Sequence, residues 1–382
     1  MPPIQNKKSP TRLMIAASES DANLFWATKF LVPDPMIFIE HRGKRYLVLS
    51  DLEVDRGKKE AEVDQVLSYS ELEKKVSVKP GKRATMSQLI ALVLKQLKVK
   101  GEIWVPANFP YLYAEGLRKL KFALTPKADP FYAERVIKTK WEKKAIEKTQ
   151  NYISQAIQEA YRVLKESKIK GDKIYYHGEL LTSELLKSVI NLHLMKNNCI
   201  AKHTIVACGN QAVDPHCEGY GPIRPHQTLV MDVFPKSSDT QYYGDMTRTV
   251  VKGKASAAIQ KLWHTVKDAQ EGAIKKVRAG VDGQKIHLDI MSDFEAKGYR
   301  TGRIRGRMQG FFHGTGHGVG VDIHEPPRIS KFSDILQEGT VVTVEPGLYY
   351  HGLGGVRIED IVYVKKTGCE VLANCPKILE IK

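Results

Sequence analysis

Long apolar runs are missing. Nowhere do the 382 residues approach the roughly 18 consecutive apolar side chains that a membrane-spanning helix needs. The N-terminal segment MPPIQNKKSPTRLMIAASES carries positive charge but no apolar stretch of signal-peptide length. Cysteine is scarce: Cys199, Cys208, Cys217, Cys369 and Cys375 make an odd number with no C-x-x-C spacing, against a disulfide framework or a thiolate zinc site. That usage fits a reducing compartment, and the expectation is a soluble cytoplasmic protein with no membrane partner. Aromatics amount to 8% and do not alternate with basic residues, and no zinc-finger, RNA-recognition or basic-zipper pattern is present. The formal net charge of +16 is spread along the chain, so no nucleic-acid partner is expected. The densest basic run, Lys297, Arg300, Arg303, Arg305 and Arg307, reads as a solvated loop. A P-loop is absent. In GTGHGVG, Gly314 and Gly316 begin a G-x-G-x-x-G, but Val319 takes the last position and no helix is read after it, which excludes a dinucleotide site.

What is present is an ordinary globular composition, 42% hydrophobic and 27% charged, in a chain long enough for two domains. Residues 13–17, 36–40 and 46–49 read as strands, with a turn over 41–45 around Gly43, followed by a helix over 87–97 and a strand over 102–105. Four prolines, Pro106, Pro110, Pro126 and Pro130, punctuate the end of this segment, so a smaller α/β domain is expected over residues 1–130. Beyond it the spacing predicts a long amphipathic helix over 140–167 with Trp141, Ile146, Ile153, Ile157, Tyr161 and Leu164 on one face, and a second helix over 179–196. Strands and glycine-rich turns follow, then helices over 256–277 and 284–296 and a closing set of strands from His313 onward. Separate blocks of helices and antiparallel-looking hairpins indicate an α+β domain over residues 131–382.

Five segments of that domain put metal-ligand residue types on strands. In TLVMDVF, Asp232 lies inside an apolar run, where a carboxylate must be paired, hydrogen-bonded or metal-bound to offset its desolvation. In TQYYGDMTRTVV, alternation places Asp245 on one face with Tyr243, Thr247 and Thr249, and a hairpin through PKSSDT would set Asp245 beside Asp232. Adjacent carboxylates repel unless a cation or a shared proton lies between them. FFHGTGHGVGVDIHEPPR supplies His313, His317 and His324 among glycines. GTVVTVEPGLYY ends an apolar strand at Glu345, and GGVRIEDIVYV puts Arg357 and Glu359 on one face; a turn around His351–Gly355 would set Glu345 opposite Glu359. Each residue alone has a bland reading, such as a capped strand aspartate or a turn histidine. Together, two Asp, one His and two Glu from five strand segments supply a donor set for a pair of divalent cations.

Through VMDVF, GDMTRT, HGTGHGVGVDIHEPP, TVEPGLY and GVRIED, the sequence resembles the pita-bread metallopeptidases, in the branch of Xaa-Pro dipeptidase (prolidase) and Xaa-Pro aminopeptidase (aminopeptidase P). The resemblance implies a C-terminal pita-bread domain that holds two divalent metal ions, with manganese the family expectation and cobalt, iron or zinc the alternatives. It makes Asp232 a chelating ligand, Asp245 and Glu359 bridging carboxylates, and His317 and Glu345 ligands of the second ion. It makes Glu345 a proton shuttle, His216 and His324 substrate-side histidines that stabilise the tetrahedral intermediate, and Arg357 and Thr247 partners that orient ligands. Arg328, in HEPPR, resembles the arginine that captures the carboxylate of a dipeptide substrate. The expected partner is a proline-containing peptide, and the expected assembly is a homodimer. The connection FPKSSDTQYYG between Asp232 and Asp245 is longer than the resemblance suggests, with Asp239 a competing ligand in it. Methionine aminopeptidases share the ligand types, but the N-terminal domain and the TRT after Asp245 favour the proline-specific branch. A complete ligand set argues against a metal-free creatinase-like enzyme and against a non-enzymatic binding module on the same fold. Dipeptidase is read ahead of aminopeptidase P because of Arg328.

Overall fold

A computed structural model describes residues 10–76 and 82–382, and the first nine residues of the N-terminal segment read above lie outside them. The chain divides into two compact units, Met1–Arg135 and Val136–Lys382. Among the described residues no helix is long and apolar enough to cross a membrane.

In the first unit, β1 (Thr11–Ala16), β2 (Met36–His41), β3 (Lys44–Leu49), β4 (Gln65–Ser68), β5 (Glu102–Pro106) and β6 (Ala123–Lys127) form one mixed sheet in the order β4-β3-β2-β1-β5-β6. Period-2 alternation sends Leu13, Ile15, Ile37 and Ile39 into one core and Met14, Met36, Phe38 and Leu47 into another, so both faces are buried. Helices α1 (Ala22–Thr28) and α2 (Val54–Glu60) cover one face, and α3 (Tyr69–Lys75), α4 (Met86–Gln96) and α5 (Tyr111–Lys119) the other. Helix α4 starts at a capping box between Thr85 and Gln88 and buries Leu89, Ile90, Val93 and Leu94 at helical spacing.

The second unit opens with α6 (Lys140–Glu166), whose capping box joins Thr139 and Glu142. Its buried face holds Ile146, Ile153, Ile157, Tyr161 and Leu164 as the spacing predicts, but also Thr149 and Gln150. Trp141, assigned to that face, is 54% exposed and meets Tyr242 edge-on, while its neighbour Glu142 takes the buried side of the first turn. Strands β7 (Lys168–Lys170), β8 (Lys173–Tyr176) and β9 (Glu179–Leu180) form a small sheet, so the helix expected from residue 179 begins at Ser183. There the Thr182 hydroxyl accepts from the Leu185 N–H and caps α7 (Ser183–Lys196). Strands β10 (Cys199–Ile200), β11 (Ile205–Cys208), β12 (Thr228–Val233), β13 (Lys236–Ser237) and β14 (Met246–Lys252) follow. The long connection from β12 to β14 is taken up by β13, which pairs with β10.

Helices α8 (Ala257–Lys276) and α9 (Gly283–Ala296) lead to β15 (Gly302–Ile304) and β16 (Arg307–Gln309). These two form a hairpin, so within the exposed basic run read as a loop Arg303 and Arg307 are on a two-stranded ribbon. The remaining strands are β17 (Gly316–Gly318), β18 (Glu325–Ile329), β19 (Val341–Val344), β20 (Gly347–Tyr350), β21 (Gly354–Arg357), β22 (Asp360–Val364), β23 (Cys369–Val371) and β24 (Glu380–Ile381). Two sheets frame the unit, β11-β12-β14-β24 with α6 and α7 against it and β18-β17-β19-β22-β23 with α8 and α9 against it.

The sheets meet at β14 and β22, where the Glu359 N–H donates to the Thr247 carbonyl at 3.1 Å. Beneath that seam Arg248, 2% exposed, donates to the Glu359 carbonyl at 2.5 Å, to Asp360 Oδ1 at 2.6 Å and to the Cys375 carbonyl at 3.0 Å. Asp360 also accepts from Gln270 at 3.0 Å and lies 2.8 Å from Lys377 Nζ. Burial pushes the Asp360 carboxyl up, but Arg248 and Lys377 outweigh it and hold it below its ordinary range. Replacing Asp360 with Asn would leave the Arg248 cation buried without its counter-charge. Asp360→Asn is expected to lower the stability of the second unit by ~3–5 kcal/mol, read from the midpoint of its urea transition; a change below about 1 kcal/mol would contradict this role.

Candidate metal centre

The antiparallel pairing of β11, β12 and β14 places Asp232 opposite both Ile205 and Thr247. Asp245 lies one residue before β14, so Asp232 is directly opposite Thr247 and Asp245 falls two positions further along the same face, near enough for the Asp232 charge to act on it. Asp245 is held from behind by Gln150 of α6, which accepts from its N–H at 2.9 Å and donates to its carbonyl at 2.6 Å. Gly244 makes this approach feasible: a Cβ there would lie 2.7 Å from Ile153 and 2.9 Å from Gln150 Oε1.

Val344 pairs with Asp360 in the second sheet and Gly347 with Arg357 in the two-stranded β20-β21 sheet, in one continuous register, so Glu345 and Glu359 fall opposite each other as the turn around His351–Gly355 predicts. The Glu345 N–H donates to the Thr315 carbonyl at 2.7 Å. His317 on β17 is fixed by Nδ1, 3.1 Å from the Gly318 carbonyl, which turns Nε2 toward Glu345 Oε1 at 3.4 Å and Asp245 Oδ2 at 3.7 Å. Ligand atoms of Asp245, His317 and Glu359 all lie within 4.8 Å of one another.

Arg357 ties Asp232 into this cluster. Its buried guanidinium donates to Asp232 Oδ2 at 2.6 Å, to the Tyr349 hydroxyl at 2.8 Å and to Thr247 Oγ1 at 3.3 Å. Thr247 donates in turn to Glu359 Oε2 at 2.7 Å. The Tyr349 hydroxyl is 2.9 Å from His313 Nε2, whose Nδ1 is 2.7 Å from the Gly314 carbonyl. Neutral His313 thus accepts from Tyr349, and burial together with Arg357 pushes its pKa down to about 3.

Electrostatics match the crowding. Burial, then the Glu359 and Asp232 charges, holds the Asp245 carboxyl well above its ordinary range, and burial with Glu345 and Asp232 does the same to Glu359. Burial drives Glu345 up to about 7 against the pull of Arg357. Burial, then His324, pushes His317 down to about 3, so its imidazole is neutral and Nε2 is an acceptor. A lone pair therefore faces carboxylate lone pairs at 3.4 and 3.7 Å with no donor between them. Asp232 Oδ1 and Glu359 Oε1 are likewise buried without a hydrogen-bond partner. Oxygen and imidazole acceptors that converge with more lone pairs than Arg357, Thr247 and Thr343 satisfy are the set that divalent cations require, and thiolates are absent from it.

A cleft of about 920 Å³ opens over the cluster, lined by Asp232, Asp245, His317, Glu345 and Glu359, with Thr247 and Tyr349 behind its wall. His216, His324 and Arg328 are on its sides. The His324 ring meets His317 edge-on at 4.4 Å, and its pKa is lowered by burial, then by Arg328. Arg328 is on β18, directly opposite His317 in register. Asp239 is not brought in: it accepts from Asn198 and lies 3.8 Å from Lys148. Sequence reasoning misses Gln150 and Tyr349, and it finds His313 without giving it a role. The one signal for Gln150 is a polar residue on the apolar side of α6.

Residues 144–366 match metallopeptidase family M24. An Xaa-Pro dipeptidase of Pyrococcus furiosus is 32% identical over 253 residues, which cover 64% of this chain and 65% of that protein. The match therefore spans just under two thirds of that relative. The solved structure of an Xaa-Pro dipeptidase from Bacillus anthracis superimposes with a TM-score of 0.82 at 21% identity, covering 97% of this chain and 95% of that one. That of an X-Pro aminopeptidase from Thermotoga maritima gives 0.77 at 24%, with 97% of each covered. The two-unit pita-bread architecture is shared with these structures. Because the family match takes in more than half of the chain, including every residue of the buried acceptor cluster, the chain belongs to metallopeptidase family M24.

Proposed function

We propose that the chain is a dinuclear-metal peptidase that hydrolyses the Xaa-Pro bond of dipeptides. The observation that carries this reading is Arg328, one strand away from His317 and on the wall of the same cleft. A guanidinium there can pair bidentately with the free carboxylate of a C-terminal proline, which a dipeptidase requires and an enzyme acting on longer chains does not.

Asp232, Asp245, His317, Glu345 and Glu359 would hold the cations. Bound divalent ions polarise a peptide carbonyl and lower the pKa of water toward ~7, which supplies a nucleophile at neutral pH. The chain's own residues do the rest. Arg357 orients Asp232 and offsets its charge, and Thr247 fixes Glu359 Oε2. Glu345, at the cleft edge of the cluster, takes up a proton on a carboxylate oxygen and returns it to the leaving proline nitrogen. His216 and His324 face the cleft, where N–H donors can stabilise the oxyanion of the tetrahedral intermediate. An all-oxygen and imidazole donor set suits manganese. Cytoplasmic residence accords with the free cysteines, and a homodimer is the assembly the resemblance implies. A second reading, release of the N-terminal residue from longer Xaa-Pro peptides, is favoured by the cleft volume of about 920 Å³, more than a dipeptide fills.

Metal-stripped protein is expected to cleave an Xaa-Pro dipeptide only after manganese is restored, and an Xaa-Pro-Xaa tripeptide poorly or not at all. Preference for the tripeptide would establish the second reading, and no cleavage of either with manganese, cobalt, iron or zinc would overturn both. Arg328→Ala should raise the KM for dipeptides by about tenfold or more, the loss expected of a charge-assisted pair; an unchanged KM would remove Arg328 from the site. Asp245→Ala or Glu359→Ala should abolish both hydrolysis and metal uptake while the circular dichroism spectrum is kept, and a variant that still binds two equivalents of manganese would contradict the ligand assignment.

A further inference from the structure

Strand order gives the cleft a direction. From one side to the other run β11, β12 and β14, then, across the Glu359–Thr247 backbone bond, β22, β19, β17 and β18. The side chains follow the same sequence of strands: Ile205 and Asp232 at one end, Asp245 and Glu359 at the seam, then Glu345, His317 and finally Arg328. The acceptor cluster is central. If Arg328 takes the carboxylate of the substrate, the residue before proline must extend toward β11.

That end of the cleft has its own construction. Ile205 is the register partner of Asp232, Phe234 follows Asp232 by two residues, and both line the cleft. At the rim beyond them stands Glu218, whose backbone carbonyl accepts from the Val206 N–H at 2.9 Å and whose carboxylate is 2.6 Å from His203 Nδ1. Asp214 adds a second rim carboxylate, its Oδ1 accepting from the His216 N–H at 3.1 Å. Both carboxylates line the cleft in addition to the four of the acceptor cluster, in a chain of net charge +16. Neither has a part in holding cations or in the hydrolysis described above.

We propose that Ile205 and Phe234 seat the side chain of the residue before proline, and that Glu218, aided by Asp214, selects a cationic tip on it. The preferred substrates are then Lys-Pro and Arg-Pro: the aliphatic stem packs on Ile205 and Phe234 while the charged head reaches the wet rim. An acidic residue at that position meets like charge and is disfavoured. The inference rests on the dipeptidase reading, because Arg328 sets the direction in which the substrate lies.

The test is kcat/KM for Lys-Pro, Arg-Pro, Met-Pro, Ala-Pro and Glu-Pro with the manganese-loaded full chain. Lys-Pro and Arg-Pro are expected to exceed Met-Pro by about fivefold, the order an exposed ion pair supplies, and Glu-Pro to be the poorest. The Lys-Pro to Met-Pro ratio should fall toward one in Glu218→Gln and, for the unaltered enzyme, in about 1 M salt, where exposed charges are screened. Phe234→Ala should lower Met-Pro and Lys-Pro relative to Ala-Pro. Equal efficiency across the series, or a Lys-Pro to Met-Pro ratio untouched by Glu218→Gln, overturns this inference and leaves the dipeptidase reading standing. Failure to cleave any of the five dipeptides overturns that reading and the inference with it.

Discussion

One guanidinium makes the buried carboxylate cluster feasible. Among the described residues, Arg357 is the only arginine or lysine seen to donate to a carboxylate of the acceptor cluster, and it reaches Asp232 directly and Glu359 through Thr247. Four carboxyl groups in a shared, largely desolvated space repel one another by several kcal/mol per pair at protein-like dielectric. One cation offsets part of that repulsion. The remainder shows in the upward displacement of Asp245, Glu345 and Glu359, and divalent cations bound there would relieve it.

The rest of the second unit serves to keep those groups from moving apart. Gln150 clamps the Asp245 backbone from α6, and Thr249 exchanges hydrogen bonds with the Arg357 backbone at 2.8 and 3.0 Å. Arg248 and Asp360 close the seam from below, and the Trp263 indole donates to the Thr249 carbonyl at 2.8 Å. A site whose chemistry depends on fixed acceptor geometry needs this support, since looseness of about 1 Å is enough to lose it. The supporting residues differ in kind from the cluster they hold: they pair donors with acceptors across the seam, whereas the cluster leaves Asp232 Oδ1 and Glu359 Oε1 without a partner.

Placement of the cluster at the seam of two sheets also shapes what the cleft can bind. The two edge strands differ in what they present to the cleft: β11 contributes Ile205, with Glu218 bonded to its outer side, and β18 contributes Arg328. On the proposed reading, a peptide with a free carboxylate lies across the cleft with that carboxylate toward β18, so that recognition would follow from strand order and hydrolysis from the seam.

Much of this is legible in the sequence. Short apolar runs locate β1, β2 and β3, apolar spacing locates α4 and α6, and the pairing of Glu345 with Glu359 follows from a turn only a few residues long. Carboxylates inside apolar strands announce a cation site because a charge shut away from water needs a counter-charge close by. Local signals fail where the partner is far along the chain. The start of α7 is misread because β9 pairs with β8, and Trp141 because burial of a helical position depends on what packs over it. Gln150 lies 95 residues from the Asp245 it holds. The sequence by itself determined the ligand types, the strands that carry them and the family they belong to. Only the tertiary structure decided which acceptors converge, which stay unpaired and in what order the strands cross the cleft, because those depend on hydrogen-bond register between segments that no local pattern connects.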